Sequence, residues 1–375
     1  MHYLDNAATT RVLPEAAEAA VHAMCEGFGN PSSLHKMGIE ASHLLEDSRK
    51  TVAAALGCLP EETCFTSCGT ESTNISLRGA AHLNRHKKGR IITTGIEHAA
   101  TLNTCKQLAA EGFDVVFLAP DTTGHITPAA LEEALTADTV LLSCQLVNNE
   151  IGTVQPVAEL GALLKAKAPG ALFHIDAVQG LCRVALTPKK WNCDLMSVSG
   201  HKIGAPKGIG ALYVKKGLRL PPLMFGGGQE KGLRPGTEPL PSIAAFARAC
   251  EIRMAHFDED YAHVTELAAY LKEQAAANLP DVAFNGEGDV PHVVNLSIPG
   301  CKSEVMLRVL EGDEVYVSSG SACSKGRQSG VLRALGLPKA RTDSAIRVSF
   351  APFNTKEDVD AFIAAAQKGV KMLRR

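Results

Sequence analysis

The run Ser197-Val-Ser-Gly-His-Lys-Ile-Gly-Ala-Pro-Lys-Gly-Ile-Gly210 decides how the rest of the chain is read. An apolar strand over 195–199 leads into it, and Lys202 follows, beside His201 and among glycines. An amine so placed can form a Schiff base with an aldehyde. The Ser199 hydroxyl, the His201 imidazole and exposed backbone N–H groups can hold a phosphate. Taken alone, the run also suits an ordinary glycine turn. Asp176 tips the balance, because it ends a second apolar stretch, 172–176. Pyridoxal phosphate (PLP) needs an amine for its aldehyde and a carboxylate for its pyridinium nitrogen. Two strand ends supply both, so PLP is the expected cofactor.

From about residue 60 to 215 short apolar runs alternate with helical patterns. Strands are expected at 64–67, 90–95, 114–119, 140–147, 172–176, 195–199 and 210–214, with amphipathic stretches at 101–111, 128–137 and 156–168. This alternation reads as α/β, a mostly parallel mixed sheet between helices. Ligands in such sheets bind at the carboxyl ends of the strands, where nearly every polar motif of this chain falls. An Ala-rich helical pattern runs from 241 to 278, followed by strands at 293–298, 315–317 and 345–350 and a terminal helix at 355–373. The expected division is a large cofactor-binding domain over 14–245 and a smaller α+β domain formed by 1–13 and 246–375.

A chain of 375 residues suits two domains, and 45% hydrophobic content marks it as globular. With 38 basic and 40 acidic residues and no basic run, nothing points to nucleic acid or a membrane surface. No stretch is long and apolar enough to span a bilayer, and Met1–Thr10 has no signal-peptide pattern, which predicts a cytoplasmic protein. The eleven cysteines contain no CxxC pair and no zinc-site spacing, so no metal is expected.

Further motifs carry chemistry with an alternative beside each. Gly69 and Thr70, between a strand and a helix start, can bind phosphate or simply cap the helix. His98, after the strand at 90–95, can stack on a cofactor ring and move protons, or serve as a structural hydrogen-bonder. Asn149 and Gln179 can reach a cofactor's phenolic oxygen, or shape turns. Cys323 lies amid small residues near Lys325 and Arg327, which favour its thiolate. An exposed thiol there suits nucleophilic attack and carriage of a product; an incidental loop cysteine is the alternative. Arg347 interrupts an apolar strand and fits a substrate carboxylate or a protein one.

Together these segments resemble the cysteine desulfurases of the NifS/IscS type, in the class V aminotransferase branch of fold-type I PLP enzymes. The likeness runs from Tyr3-Leu-Asp-Asn-Ala-Ala-Thr-Thr10 and Asn30-Pro-Ser-Ser-Leu-His35 through the motifs above to Arg234-Pro-Gly-Thr237 and Arg347-Val-Ser-Phe350. It implies that Lys202 is the Schiff-base lysine and proton shuttle, that Asp176 holds the pyridine nitrogen, and that His98 stacks on the ring. Gln179 and Asn149 would flank the ring oxygen. Gly69, Thr70, Ser199 and His201 would bind the phosphate, and Thr237 would reach the phosphate in a partner subunit. Arg347 would hold the carboxylate of L-cysteine, and Cys323 would take its sulfur as a persulfide. The family implies a homodimer and a sulfur-acceptor protein, an iron–sulfur scaffold or sulfur carrier. A selenocysteine lyase or an aminotransferase on the same scaffold, and a non-catalytic phosphate-ligand binder, are the competing readings. The chain departs from the family at Cys68, where Gly-Gly-Thr becomes Cys68-Gly-Thr70, and after Cys323, where Ser324-Lys-Gly replaces Thr-Ser.

Overall fold

The structure, a computed structural model, describes residues 1–319 and 329–374. Its strands are β1 (His2–Tyr3), β2 (Thr63–Thr66), β3 (Arg90–Thr94), β4 (Asp114–Leu118), β5 (Thr139–Gln145), β6 (Leu172–Asp176), β7 (Leu195–Ser199), β8 (Gly210–Val214), β9 (Ala283–Phe284), β10 (Val293–Ser297), β11 (Val315–Tyr316) and β12 (Ala345–Ser349). Its helices are α1 (Pro14–Cys25), α2 (Lys36–Leu56), α3 (Gly69–Leu83), α4 (Ala99–Ala110), α5 (Pro128–Ala134), α6 (Val157–Lys167), α7 (Leu240–Ala255), α8 (Phe257–Asn278), α9 (Ser303–Gly312), α10 (Gly330–Ala334), α11 (Lys339–Thr342) and α12 (Lys356–Leu373).

Seven strands form one sheet in the order β2-β8-β7-β6-β5-β3-β4. The pairs β3–β4, β3–β5, β5–β6 and β6–β7 are parallel, and only β8 runs against its neighbours. β5 and β7 are buried along their whole length, as strands covered on both faces must be. This is the mostly parallel mixed sheet read from the sequence. A large apolar core, with Phe65, Phe173, Tyr213 and Phe246, surrounds it.

A second core, with Leu271, Leu296, Phe350 and Phe362, lies around the antiparallel sheet β12-β10-β9. The pattern read as continuous over 241–278 divides at His256 into α7 and α8. α7 packs on α1 and α2, α8 packs on α12, and Asp258, Glu259 and Asp260 give α8 its own acidic first turn. The break lets one stretch of chain serve two cores. The N-terminal residues also serve both: β1 pairs in parallel with β11, Asn6 Nδ2 donates to Ser349 O at 2.9 Å, and Leu13 N donates to Gly204 O at 2.8 Å. Among the described residues no helix is long and apolar enough to cross a membrane.

Candidate active site

The parallel strands deliver polar residues to one end of the sheet. Asp176 is the last residue of β6, Ser199 the last of β7, and Lys202 lies in the tight turn after it. His98 follows β3 as the residue that opens α4, and Asn149 follows β5. Gly69 and Thr70 begin α3 after β2. The sequence gives each motif its place after a strand, and the parallel order brings them together. They meet in a cavity of about 580 Å³, whose lining also includes Gln179, His201 and Arg347.

Lys202 Nζ donates to the carbonyls of Ala7 and Ala8 at 2.5 and 2.7 Å. Burial, and then the charges of Arg347 and Arg183, pull its amine from 10.5 down to about 7. The group is thus poised to be a free base near neutral pH. Asp176 is buried, and that burial raises its carboxyl above the ordinary range against the pull of His98 and Lys202. Its Oδ1 accepts the Val178 N–H at 3.0 Å. A desolvated carboxylate of this kind calls for a cationic or N–H partner in the cavity.

The start of α3 is also open to the cavity. Cys68, the residue before α3, makes no side-chain cap, so no side chain of its own satisfies the first N–H groups of this 15-residue helix. The departure at Cys68 therefore leaves the helix start open. A Cβ on Gly69 would lie 2.8 Å from Val178 Cγ2 and 3.6 Å from Ser199 Cβ, which keeps this approach to glycine. Among the described residues the buried Ser199 hydroxyl has no hydrogen-bond partner. An uncapped helix start beside an orphaned hydroxyl fits a phosphate. His201 Nδ1 stands 3.2 Å from Thr9 Oγ1, and burial with Lys202, Lys207 and Arg183 nearby lowers it to about 4, so the ring is neutral.

His98 Nδ1 accepts the Ala100 N–H at 3.1 Å, which leaves the proton of the neutral ring on Nε2. Gln179 is engaged at both ends: its Nε2 donates to Ala7 O and its Oε1 accepts from Arg183, each at 2.8 Å. Arg347 donates to Asn149 O at 2.9 Å and to Asp5 Oδ1 at 2.7 Å. Thr237 is exposed and lies outside the cavity of its own chain. Cys323, with Lys325 and Arg327, lies outside the described residues. Both described flanks of that segment rest at the site. Ser318 exchanges backbone hydrogen bonds with Arg347, and Ser329 Oγ donates to the buried carboxylate of Glu150.

Five participants have no role assigned from the motifs. Asp5, Ala7 and Ala8 reach the site from the N-terminus. Arg183 links Gln179 to Lys202 O. Glu97, beside His98 in sequence, is buried next to Asp176 and raised to about 8, chiefly by burial. Only the adjacency of Glu97 to a histidine was a signal; the others depend on long-range packing.

A sequence profile described as Aminotransferase class-V matches residues 2–362. A cysteine desulfurase of Nostoc sp. is 40% identical over 99% of this chain and 93% of its own. The solved structure of a NifS-like protein superposes with a TM-score of 0.94 at 37% identity, covering 99% of both chains. A structure described as SspA in complex with cysteine superposes with a TM-score of 0.85 at 34% identity, covering 95% of this chain and 100% of that one. With matches of this extent added to a lysine, a buried carboxylate and an open helix start in one cavity, the chain belongs to the class V aminotransferase family, among its cysteine desulfurases.

Proposed function

We propose that this chain converts L-cysteine to L-alanine, holding the sulfur as a persulfide on Cys323 for transfer to an acceptor protein. The observation that carries the reading is the convergence of Lys202 and Asp176 in a cavity that also contains Arg347. Bound PLP would supply the electron sink for substrate carbon. Lys202 would hold its aldehyde, Asp176 its ring nitrogen, His98 its ring face, and Asn149 and Gln179 its ring oxygen. The helix start at Gly69 and Thr70, with Ser199 and His201, would hold its phosphate.

The remaining work falls to side chains. Arg347 binds the carboxylate of L-cysteine through its guanidinium. Lys202, with its amine near 7, accepts and returns a proton at substrate carbon. The Cys323 thiolate attacks the substrate sulfur: a new S–S bond forms, the Cβ–S bond breaks, and its electron pair stays on carbon. Protonation of that carbon gives alanine. The flanks of the 320–328 segment, tied to Arg347 and Glu150, support delivery of Cys323 to this cavity.

The active form is a homodimer in the cytoplasm, with Thr237 at the phosphate of the partner subunit. Exposed apolar side chains support a second copy, since Phe225, just before Gly226-Gly-Gly228, is 91% exposed and Leu34 is 95% exposed. The test is sulfide and alanine release from L-cysteine with a thiol reductant, for wild type and Cys323→Ala. Equimolar products that disappear in the variant are expected. Equal activity in both proteins would remove Cys323 as nucleophile and favour a lyase or an aminotransferase.

A further inference from the structure

Lys202 lines a second pocket besides the main cavity. This smaller pocket, about 50 Å³, lies where residues of both apolar cores meet, and Arg183, Arg253 and His292 reach it. Arg253 and His292 have no role in the reaction described above, and Arg183 enters it only through its contacts with Gln179 and Lys202 O and its effect on the Lys202 amine.

Arg183 donates from Nη1 to Gln179 Oε1 and from Nη2 to Lys202 O, both at 2.8 Å. Both acceptors are neutral, and among the described residues no carboxylate forms an ion pair with it. Burial and the neighbouring charge of Arg253 lower this guanidinium to about 10, an unusual burden for an arginine. Arg253 donates to Ile203 O at 3.2 Å and to Asp260 Oδ2 at 2.9 Å. The pocket therefore holds two guanidinium groups against one carboxylate. Arg183 is half-buried with only neutral hydrogen-bond partners, an arrangement that an anion would relieve. His292 is 4% exposed, and among the described residues its buried Nε2 has no hydrogen-bond partner. Such an orphan is unfavourable unless something pairs with it.

The rest of the wall is mixed: Phe257, Val264 and Phe350 give it an apolar side, and Thr10, Asp260 and Tyr261 are polar. A water occupies roughly 10–15 Å³ by the same measure, so the pocket admits about three to five water-sized groups. We propose that it is a binding site for a small monocarboxylate of the size of propionate. The carboxylate lies between Arg183 and Arg253 and accepts the His292 Nε2–H; the alkyl end meets Phe257 and Phe350. The apolar side favours this class over an inorganic oxyanion, which would leave it dry and unpartnered.

The test is calorimetric titration of the holoenzyme with sodium propionate at constant ionic strength, with chloride and sulfate as separate arms. One propionate per chain is expected, with sulfate and chloride at least about tenfold weaker. Val264→Phe, which fills the pocket, should abolish binding, and Arg253→Gln should weaken it about tenfold or more. Thermal melting checks that each variant is folded, and either alone suffices for the comparison. No heat up to about 100 mM, or binding equal for all three anions, would overturn the proposal. So would binding that survives Val264→Phe and Arg253→Gln but is lost in Arg347→Gln, because propionate would then occupy the main cavity. The measurement reads binding, so it is independent of whether the chain desulfurates cysteine.

Discussion

The Lys202 amine gives the sharpest quantitative test. An ordinary lysine amine loses its proton at 10.5, and this one does so at about 7. The difference disfavours its charged form by ~5 kcal/mol. Burial is the largest cause, followed by the cationic neighbours Arg347 and Arg183, with Asp5 and Asp176 pulling the other way. At pH 8 about 90% of Lys202 would be free base, against about 0.3% of an ordinary lysine, roughly a 300-fold difference. The assay is pulse acylation of the cofactor-free protein across pH, with the Lys202 peptide quantified by mass spectrometry. Lys36, whose side chain is 89% exposed, serves as the internal reference. Half-maximal labelling of Lys202 is expected near pH 7. Arg347→Gln removes a cation and should move the Lys202 midpoint upward. A wild-type midpoint at pH 9 or above would refute the reasoning, and with it the reading of burial as what prepares this amine.

Two further outcomes follow from the geometry. Arg347→Lys keeps a positive charge but loses the forked N–H pair; at ~1.5–3 kcal/mol for a charge-assisted bond, KM for L-cysteine should rise about 10–150-fold. A KM within twofold of wild type would show that the carboxylate is held elsewhere. His174, flanked by Ser143 Oγ and Ser197 Oγ at 2.8 Å each, is lowered by burial to about 3. Between pH 6.5 and 3 the unfolded chain therefore binds a proton that the folded chain refuses. The stability His174 contributes is full above 6.5 and falls with decreasing pH by ~1.4 kcal/mol per unit. Urea midpoints at pH 7, 5.5 and 4.5 should show this slope, and His174→Gln should flatten it; an unchanged slope in the variant would assign the acid sensitivity elsewhere.

The sheet was legible because its strands are short apolar runs that end in polar residues. The stretch 172–176 matches β6 to the residue, and Lys202 and Asp176 fall where the strand-end rule places them. The direction of β8 was not legible, since apolar content carries no information about strand polarity. The break at His256 was hidden because Ala-rich composition suits both α7 and α8, and only packing on different cores separates them. Within the site, residues that speak through a motif could be named. The Arg183 contact with Lys202 O and those of the Ala7 and Ala8 carbonyls with Lys202 Nζ join residues 19 to 195 positions apart in the chain, which no local pattern encodes.

The N-terminal segment sets a timetable for the working site. Asp5 meets Arg347 across 342 positions, and Lys202 reaches back 195 positions to Ala7. A ribosome adding about 5–20 residues per second needs roughly 20–70 s between the two halves of the Asp5–Arg347 pair. In the later part of that interval, from Val214 to Arg347, the seven strands of the large sheet have been made but the arginine proposed to anchor substrate has not. Asp5 must therefore wait for Arg347 before the two can close the cavity. Through that stretch a nascent chain holds the strand ends of the large sheet with no means of gripping an amino-acid carboxylate through Arg347, so reactive sulfur would not be mobilised by a partial product.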